Sequence, residues 1–167
     1  MPLIDRTGWA VTDPWVEVET LEELPDGQAA ILPAEVFQEH RHALDGRNAA
    51  LGVRLPNDQP VDEIAPDLHR LDAVVLEFPA FKDGRAYSQA RLLRQRHGYT
   101  GEIRATGDVL QDQAIFLVRC GFDRFEVDAH TAERWQAALR RISVVYQPGR
   151  DDSTPAPWRR HARRAAE

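Results

Sequence analysis

The hexapeptide Ala73–Phe78, Ala-Val-Val-Leu-Glu-Phe, constrains the fold more than any other part of the chain. A strand with one wet face alternates apolar and polar residues. A nearly continuous apolar run of strand length belongs instead to a strand covered on both faces, the usual state of a parallel sheet. Parallel neighbours require crossover connections of a dozen or more residues, so amphipathic helices are expected on either side of this run. The sequence supplies them. Tyr87–His97 places Ala90, Leu92, Leu93 and Arg94 at helical spacing and is stopped by Gly98.

The same unit recurs along the chain. Ala29–Leu32 reads as a strand, with Pro33 opening a helix over Ala34–Leu44, where a missing N–H costs nothing. Ala50–Leu55 is a second strand, followed by a short helix over Val61–Leu71 interrupted near Pro66. Glu102–Thr106 and Phe125–Asp128 are the fourth and fifth strands. Their helices run over Leu110–Cys120, ended by Gly121, and Thr131–Ile142, with Thr131 as N-cap and Trp135, Leu139 and Ile142 on the buried side. Val144–Tyr146 reads as one more short strand, and the alternation at Trp15–Glu19 as an edge strand.

Strands alternating with helices imply an α/β fold of about five consecutive βα units on a mainly parallel sheet. Five units are too few for a complete eight-fold barrel, which leaves a partial barrel or an open sheet. The units are sequential without sign of a switch in strand order, which favours the partial barrel. The expected division is an N-terminal extension over 1–28 with an edge strand, an α/β domain over 29–148, and a tail over 149–167 too poor in apolar residues to pack.

Composition narrows the function classes. The chain has 167 residues and a net charge of −6; the segment 150–167 carries five Arg against three acids, so the body is more acidic still, at −8. A body of that sign argues against nucleic-acid binding and suits a partner with a basic docking surface. No apolar run reaches the length of a membrane span, and the N-terminus lacks the apolar core of a signal peptide, so a cytoplasmic protein without membrane contact is expected. Cys120 is the single cysteine, on the buried side near a helix end, which leaves neither a disulfide nor a multi-cysteine metal site. His40 and His42, two apart on a helix, point to different sides and cannot chelate together.

In parallel α/β proteins ligands bind where strands end, so the loops there are the places to search. Three charged residues, Glu77, Arg104 and Glu126, lie inside strands that otherwise read as buried. Unpaired buried charges are too costly to persist, so these three should pair with one another or with a loop group such as Arg85. Asp83-Gly84-Arg85 fits a tight turn projecting a guanidinium suited to oxyanions, with Tyr87 and Ser88 following at the helix start. Asp108, Asp112 and Gln113 follow the fourth strand. These eleven residues form either a closed ion-pair network that fixes register or a polar pocket or partner contact. No Gly-rich phosphate loop, no nucleophile–base arrangement and no cofactor motif is evident.

The block from Leu76 through Phe78-Pro-Ala-Phe-Lys-Asp-Gly-Arg-Ala-Tyr-Ser to Arg94, then Gly101-Glu-Ile-Arg-Ala-Thr-Gly-Asp-Val-Leu-Gln-Asp-Gln, then Arg119-Cys-Gly-Phe-Asp-Arg-Phe-Glu, is similar to domain-of-unknown-function family 934. Its bacterial members are usually encoded beside the sulfite reductase haemoprotein and are often labelled probable oxidoreductases or accessory proteins. The resemblance implies a place in assimilatory sulfite reduction and in cysteine biosynthesis, with the reductase haemoprotein or its electron donor as partner. It assigns no catalytic residue. The expectation is an accessory protein that docks on the reductase and supports electron delivery or maturation, through Asp83, Arg85, Asp108 and Asp112. The alternative is an enzyme or oxyanion-binding protein in which Arg85 and Arg104 hold the anion and Asp108 or Glu126 acts as acid or base.

Overall fold

The computed structural model describes residues 1–141. Eight strands form one sheet: β1 (Leu3–Asp5), β2 (Ala10–Val11), β3 (Val16–Glu17), β4 (Ala30–Pro33), β5 (Leu51–Leu55), β6 (Ala73–Phe78), β7 (Glu102–Gly107) and β8 (Arg124–Glu126). Their order is β2-β1-β8-β7-β6-β5-β4-β3. From β3 to β8 each strand lies parallel to the next, and β1 and β2 add antiparallel at the β8 side. Four α-helices accompany the sheet: α1 (Ala34–Glu39), α2 (Arg85–Gln95), α3 (Ala114–Cys120) and α4 (Ala132–Arg141). None of the described helices is long and apolar enough to cross a membrane.

Register sorts the side chains into two faces, because alternate residues of a strand point to opposite sides. Leu55, Leu76, Ala105 and Phe125 form one row, and Val53, Val74 and Ile103 the next. Both rows join the hydrophobic core, which the helices close with Phe37, Ala86, Ala90, Leu93, Leu117, Cys120 and Trp135. Trp135 is completely buried and stacks on Phe125, ring centroids 5.4 Å apart. The opposite face carries the row Arg54, Val75, Arg104 and Arg124, and beyond it Glu77 beside Thr106.

The connection between β2 and β3 dictates the shape. These strands are the two outer edges of the sheet, seven strand spacings apart, or about 34 Å if the sheet were flat. Yet only Thr12–Trp15 joins them, and the five residue steps from Val11 to Val16 span at most about 18 Å. The sheet therefore curls, bringing its edges together under this strap. Asp13 of the strap accepts two hydrogen bonds from Arg104, at 2.7 and 2.9 Å. The curl thus closes toward the charged face, with the helices outside. The result is an open, curled half-barrel.

Several expectations change here. Within 1–28 the edge strand expected at Trp15–Glu19 is β3, and the segment also supplies β1 and β2 at the other side of the sheet. Val61–Leu71 forms two 3₁₀ stretches, Val61–Glu63 and Ala65–Arg70, instead of a helix. Pro66 lacks the N–H that an α-helix would need there and is tolerated only at the start of the second stretch. The helix over Ala34–Leu44 stops at Glu39, and that over Leu110–Cys120 begins as a 3₁₀ turn at Gln111–Gln113. Thr131 precedes α4, but its hydroxyl donates to the Asp128 carbonyl at 3.0 Å. Ile142, the strand at Val144–Tyr146 and the tail over 149–167 lie outside the described residues.

Asp13→Ala should loosen the strap without unfolding the sheet. Amide exchange should accelerate at Val16 and Val18, whose N–H groups bond the Ala29 and Ile31 carbonyls at 3.0 Å, and stay slow along β6. Unchanged exchange at those two amides would mean that Asp13 does not hold the strap.

Candidate functional site

The eleven candidate residues separate into two groups. Glu77, Arg104 and Glu126 lie on the inner face of the curl. The other eight, Asp83, Gly84, Arg85, Tyr87, Ser88, Asp108, Asp112 and Gln113, lie on the rim built by the β6–α2 and β7–α3 connections and the helix starts that follow.

On the inner face two arginines each gather three carboxylates. Arg104, whose side chain is 1% exposed, binds Asp13, Glu102 at 3.1 Å and Glu126 at 3.4 Å. Thr106 donates its hydroxyl to the second Glu126 oxygen at 2.7 Å. Arg54 binds Glu17 at 2.8 Å, Glu19 at 2.6 Å and Glu77 at 3.3 Å. Burial by itself would strip each guanidinium of its proton more easily, yet the surrounding carboxylates win and hold both above their ordinary range. Burial pushes the Asp13 carboxyl up, but its bonds from Arg104 and from the Trp15 amide outweigh that and hold it below its ordinary value. Arg104 and Glu126 pair as expected, whereas Glu77 finds Arg54 and not Arg85.

Sequence reasoning missed Asp13, Glu17, Glu19, Arg54 and Glu102. A signal for two of them exists: Glu102, Arg104 and Thr106 alternate along one strand, and Arg54 interrupts the apolar run of Leu51–Leu55. Both patterns mark a polar inner face.

The rim is built by short-range bonds. Gly107 ends β7 at φ +93°, and a Cβ there would stand 2.4 Å from the Phe78 carbonyl oxygen, so only glycine fits. That close approach lets the Asp108 amide donate to Phe78 at 2.8 Å, and the Asp108 carboxylate then accepts the Phe81 N–H at 2.9 Å. Thus Gly107-Asp108 clamps the β6–α2 loop. Gln113 accepts the Leu110 N–H at 3.2 Å and fixes the start of the 3₁₀ turn. Asp83 receives Arg85 through Nε and Nη2, the latter at 2.7 Å, and this guanidinium holds the Asp83 carboxyl well below the carboxylate range. Gly84 takes φ −90°, which any residue can adopt, so the turn does not depend on glycine.

Tyr87 packs its ring against Phe78 at 5.0 Å and Phe116 at 4.7 Å. Its hydroxyl is buried without a hydrogen-bond partner among the described residues, and burial pushes it up to about 12. Ser88 and Asp112 are exposed, as are the large apolar side chains of Phe81, Leu110 and Phe116. Arg85 and Arg104 share no partner among the described residues. Cys120 is buried, and burial pushes its thiol up, away from the reactive thiolate. No cluster among the described residues is arranged to hold a metal ion.

Two changes test this construction. Arg104→Gln leaves three carboxylates facing one another and should cost about 3 kcal/mol, read as a lower urea midpoint with an unchanged slope. Because the folded Asp13 carboxyl titrates below its ordinary 3.8, its stabilising effect is full above that value and fades as the pH falls through it. The acid limb of the stability curve should therefore flatten in the variant. Gly107→Ala should cost about 3 kcal/mol by forcing the Phe78 carbonyl away. A wild-type midpoint in either variant contradicts the corresponding contact.

No curated protein matches the chain. One family model does, over residues 52–157, with the description "Bacterial protein of unknown function (DUF934)". That span runs from the second residue of β5 through α4 and holds all eleven candidate residues, and the chain belongs to this family, DUF934.

Proposed function

We propose that the protein is an accessory of assimilatory sulfite reduction that docks on the reductase haemoprotein or its electron donor, supports electron delivery or maturation, and uses the strand-end rim as its contact. The family resemblance supplies the pathway. The build of the rim is the observation that carries the docking mode. Its loops are pinned by the Gly107-Asp108 clamp, the Gln113 cap and the Asp83–Arg85 pair, yet they leave Phe81 and Leu110 exposed. Lys82 and Asp112 stand exposed beside them. A rigid patch with apolar centres and a charged border has the composition of a protein–protein contact. The acidic body favours a basic surface opposite it.

Anion binding by Arg85 and Arg104 together fits less well. Each is already engaged by carboxylates, and an incoming oxyanion would have to displace those pairs.

A strain lacking the gene should fail to grow on sulfate or sulfite and recover on sulfide. Phe81→Ser combined with Asp112→Lys should reproduce that defect and abolish co-purification with the reductase while the thermal midpoint stays within a few degrees. Normal growth of the deletion strain on all three sulfur sources would remove the pathway. A deletion phenotype that the double variant fully rescues would remove the rim.

A further inference from the structure

From Gly84 to Gly101 the chain contains no Asp or Glu, but four Arg and His97, in a protein whose body is strongly acidic. The helix α2 sorts these charges. Arg94 turns inward, where its guanidinium donates to the carbonyls of Tyr99, Gly101 and Gly121 and pairs with Asp123. Arg91 and Arg96 turn outward and, with Ser88, Leu92 and Gln95, line an open groove of about 440 Å³ along the helix, at whose edge Arg96 pairs with the exposed Asp62 at 3.5 Å. Leu92 is 39% exposed within it. On the neighbouring α3, Phe116 is 53% exposed and rests on Tyr87.

We propose that this outer face of α2, continued by Phe116, is a second docking surface and that its occupant is an acidic protein segment bearing apolar anchor residues. Three features select that occupant. The groove pairs cations with an exposed leucine, so it matches carboxylates and apolar side chains in one segment. Arginine at the groove forms bidentate bonds to carboxylates. The surrounding negative body repels long polyanions such as nucleic acid, whereas a short acidic segment meets Arg91 directly and takes Arg96 in exchange for the exposed Asp62. The surface adjoins the rim proposed above at Tyr87 and Ser88, but its own cations and apolar groups, Arg91, Leu92, Arg96 and Phe116, lie outside that rim. It does not rest on the rim reading, and a protein with both would join a basic partner to an acidic one.

The test uses the full chain and a fluorescent 15-residue peptide of alternating Glu–Leu pairs and Ser, with a Lys-for-Glu counterpart and a single-stranded oligonucleotide as competing probes. The Glu peptide should bind saturably at 150 mM salt, and the Lys peptide should not. Arg91→Glu with Arg96→Glu should weaken the Glu peptide at least tenfold and create binding of the Lys peptide. Leu92→Asp should weaken the Glu peptide as well. A control with the same change in net charge, Arg134→Glu with Arg141→Glu on α4, should leave it within twofold. Equal losses in both double variants would reduce the effect to net charge and overturn the proposal. So would tighter binding of the oligonucleotide, or the absence of saturable binding to the Glu peptide.

Discussion

Arg104 is the interaction on which the rest of the structure depends. It sits in the middle of the inner face, almost wholly buried, and reaches the strap that ties one edge of the sheet to the other. A short strap forces the curl, and a curl forces the inner side chains together, so whatever stands at the centre must satisfy its neighbours at close range. Arg104 does so with all three of its guanidinium nitrogens. Replacing a buried ion network by apolar side chains is often neutral or stabilising, so net energy alone does not account for it. Register does. Sliding β5 or β7 by one residue would turn Arg54 or Arg104 into the apolar layer under the helices, and that penalty excludes the slipped sheet.

The same constraint explains why the rim sits where it does. With β6 and β7 locked side by side, Gly107 meets the Phe78 carbonyl, and the next residue, Asp108, is placed to catch the loop that follows Phe78. The helices inherit their positions from these loops. Tyr87 falls against Phe78 from inside α2, and Phe116 closes over it from α3. Gly107 and several polar residues of the Leu76–Glu126 block thereby receive a structural role: Asp83, Arg85, Arg94, Arg104, Asp108, Gln113 and Glu126 all hold the scaffold.

The part of this legible in the sequence follows from burial. Ala73–Phe78 announces itself because a strand covered on both sides tolerates few polar residues, and the structure gives β6 the same bounds. Glu77, Arg104 and Glu126 stand out because a charge in such a run needs a partner, and two of them do pair. The rest was hidden for physical reasons. The alternation at Trp15–Glu19 did mark the edge strand β3, but strands β1 and β2 are two or three residues long, and no local pattern of that length distinguishes a strand from a loop. The pairing of Arg54 with Glu17 and Glu19 joins residues more than thirty apart through a strap whose path only the closed sheet determines. The 3₁₀ stretches replaced a helix because Pro66 denies it a backbone donor, a local fact whose outcome depended on how much chain was left to reach β6.

Charge is divided between the inside and the outside of this fold in a way that bears on what the protein does. Inside the curl the arginines and carboxylates answer one another, and around the buried Arg104 a group held in such a bond is poorly placed to take or give a proton, since either event leaves its partner uncompensated. Chemistry at the inner face would have to dismantle the contacts that keep the sheet curled. On the outside the situation reverses: Lys82, Arg91 and Asp112 are exposed, and large apolar side chains stand among them. Surfaces of that kind lose their cost only when something covers them. A scaffold whose interior charges are committed to one another, and whose rim and outer helix carry exposed aromatic and leucine side chains, keeps its uncommitted groups on the outside, and both proposed contacts lie there.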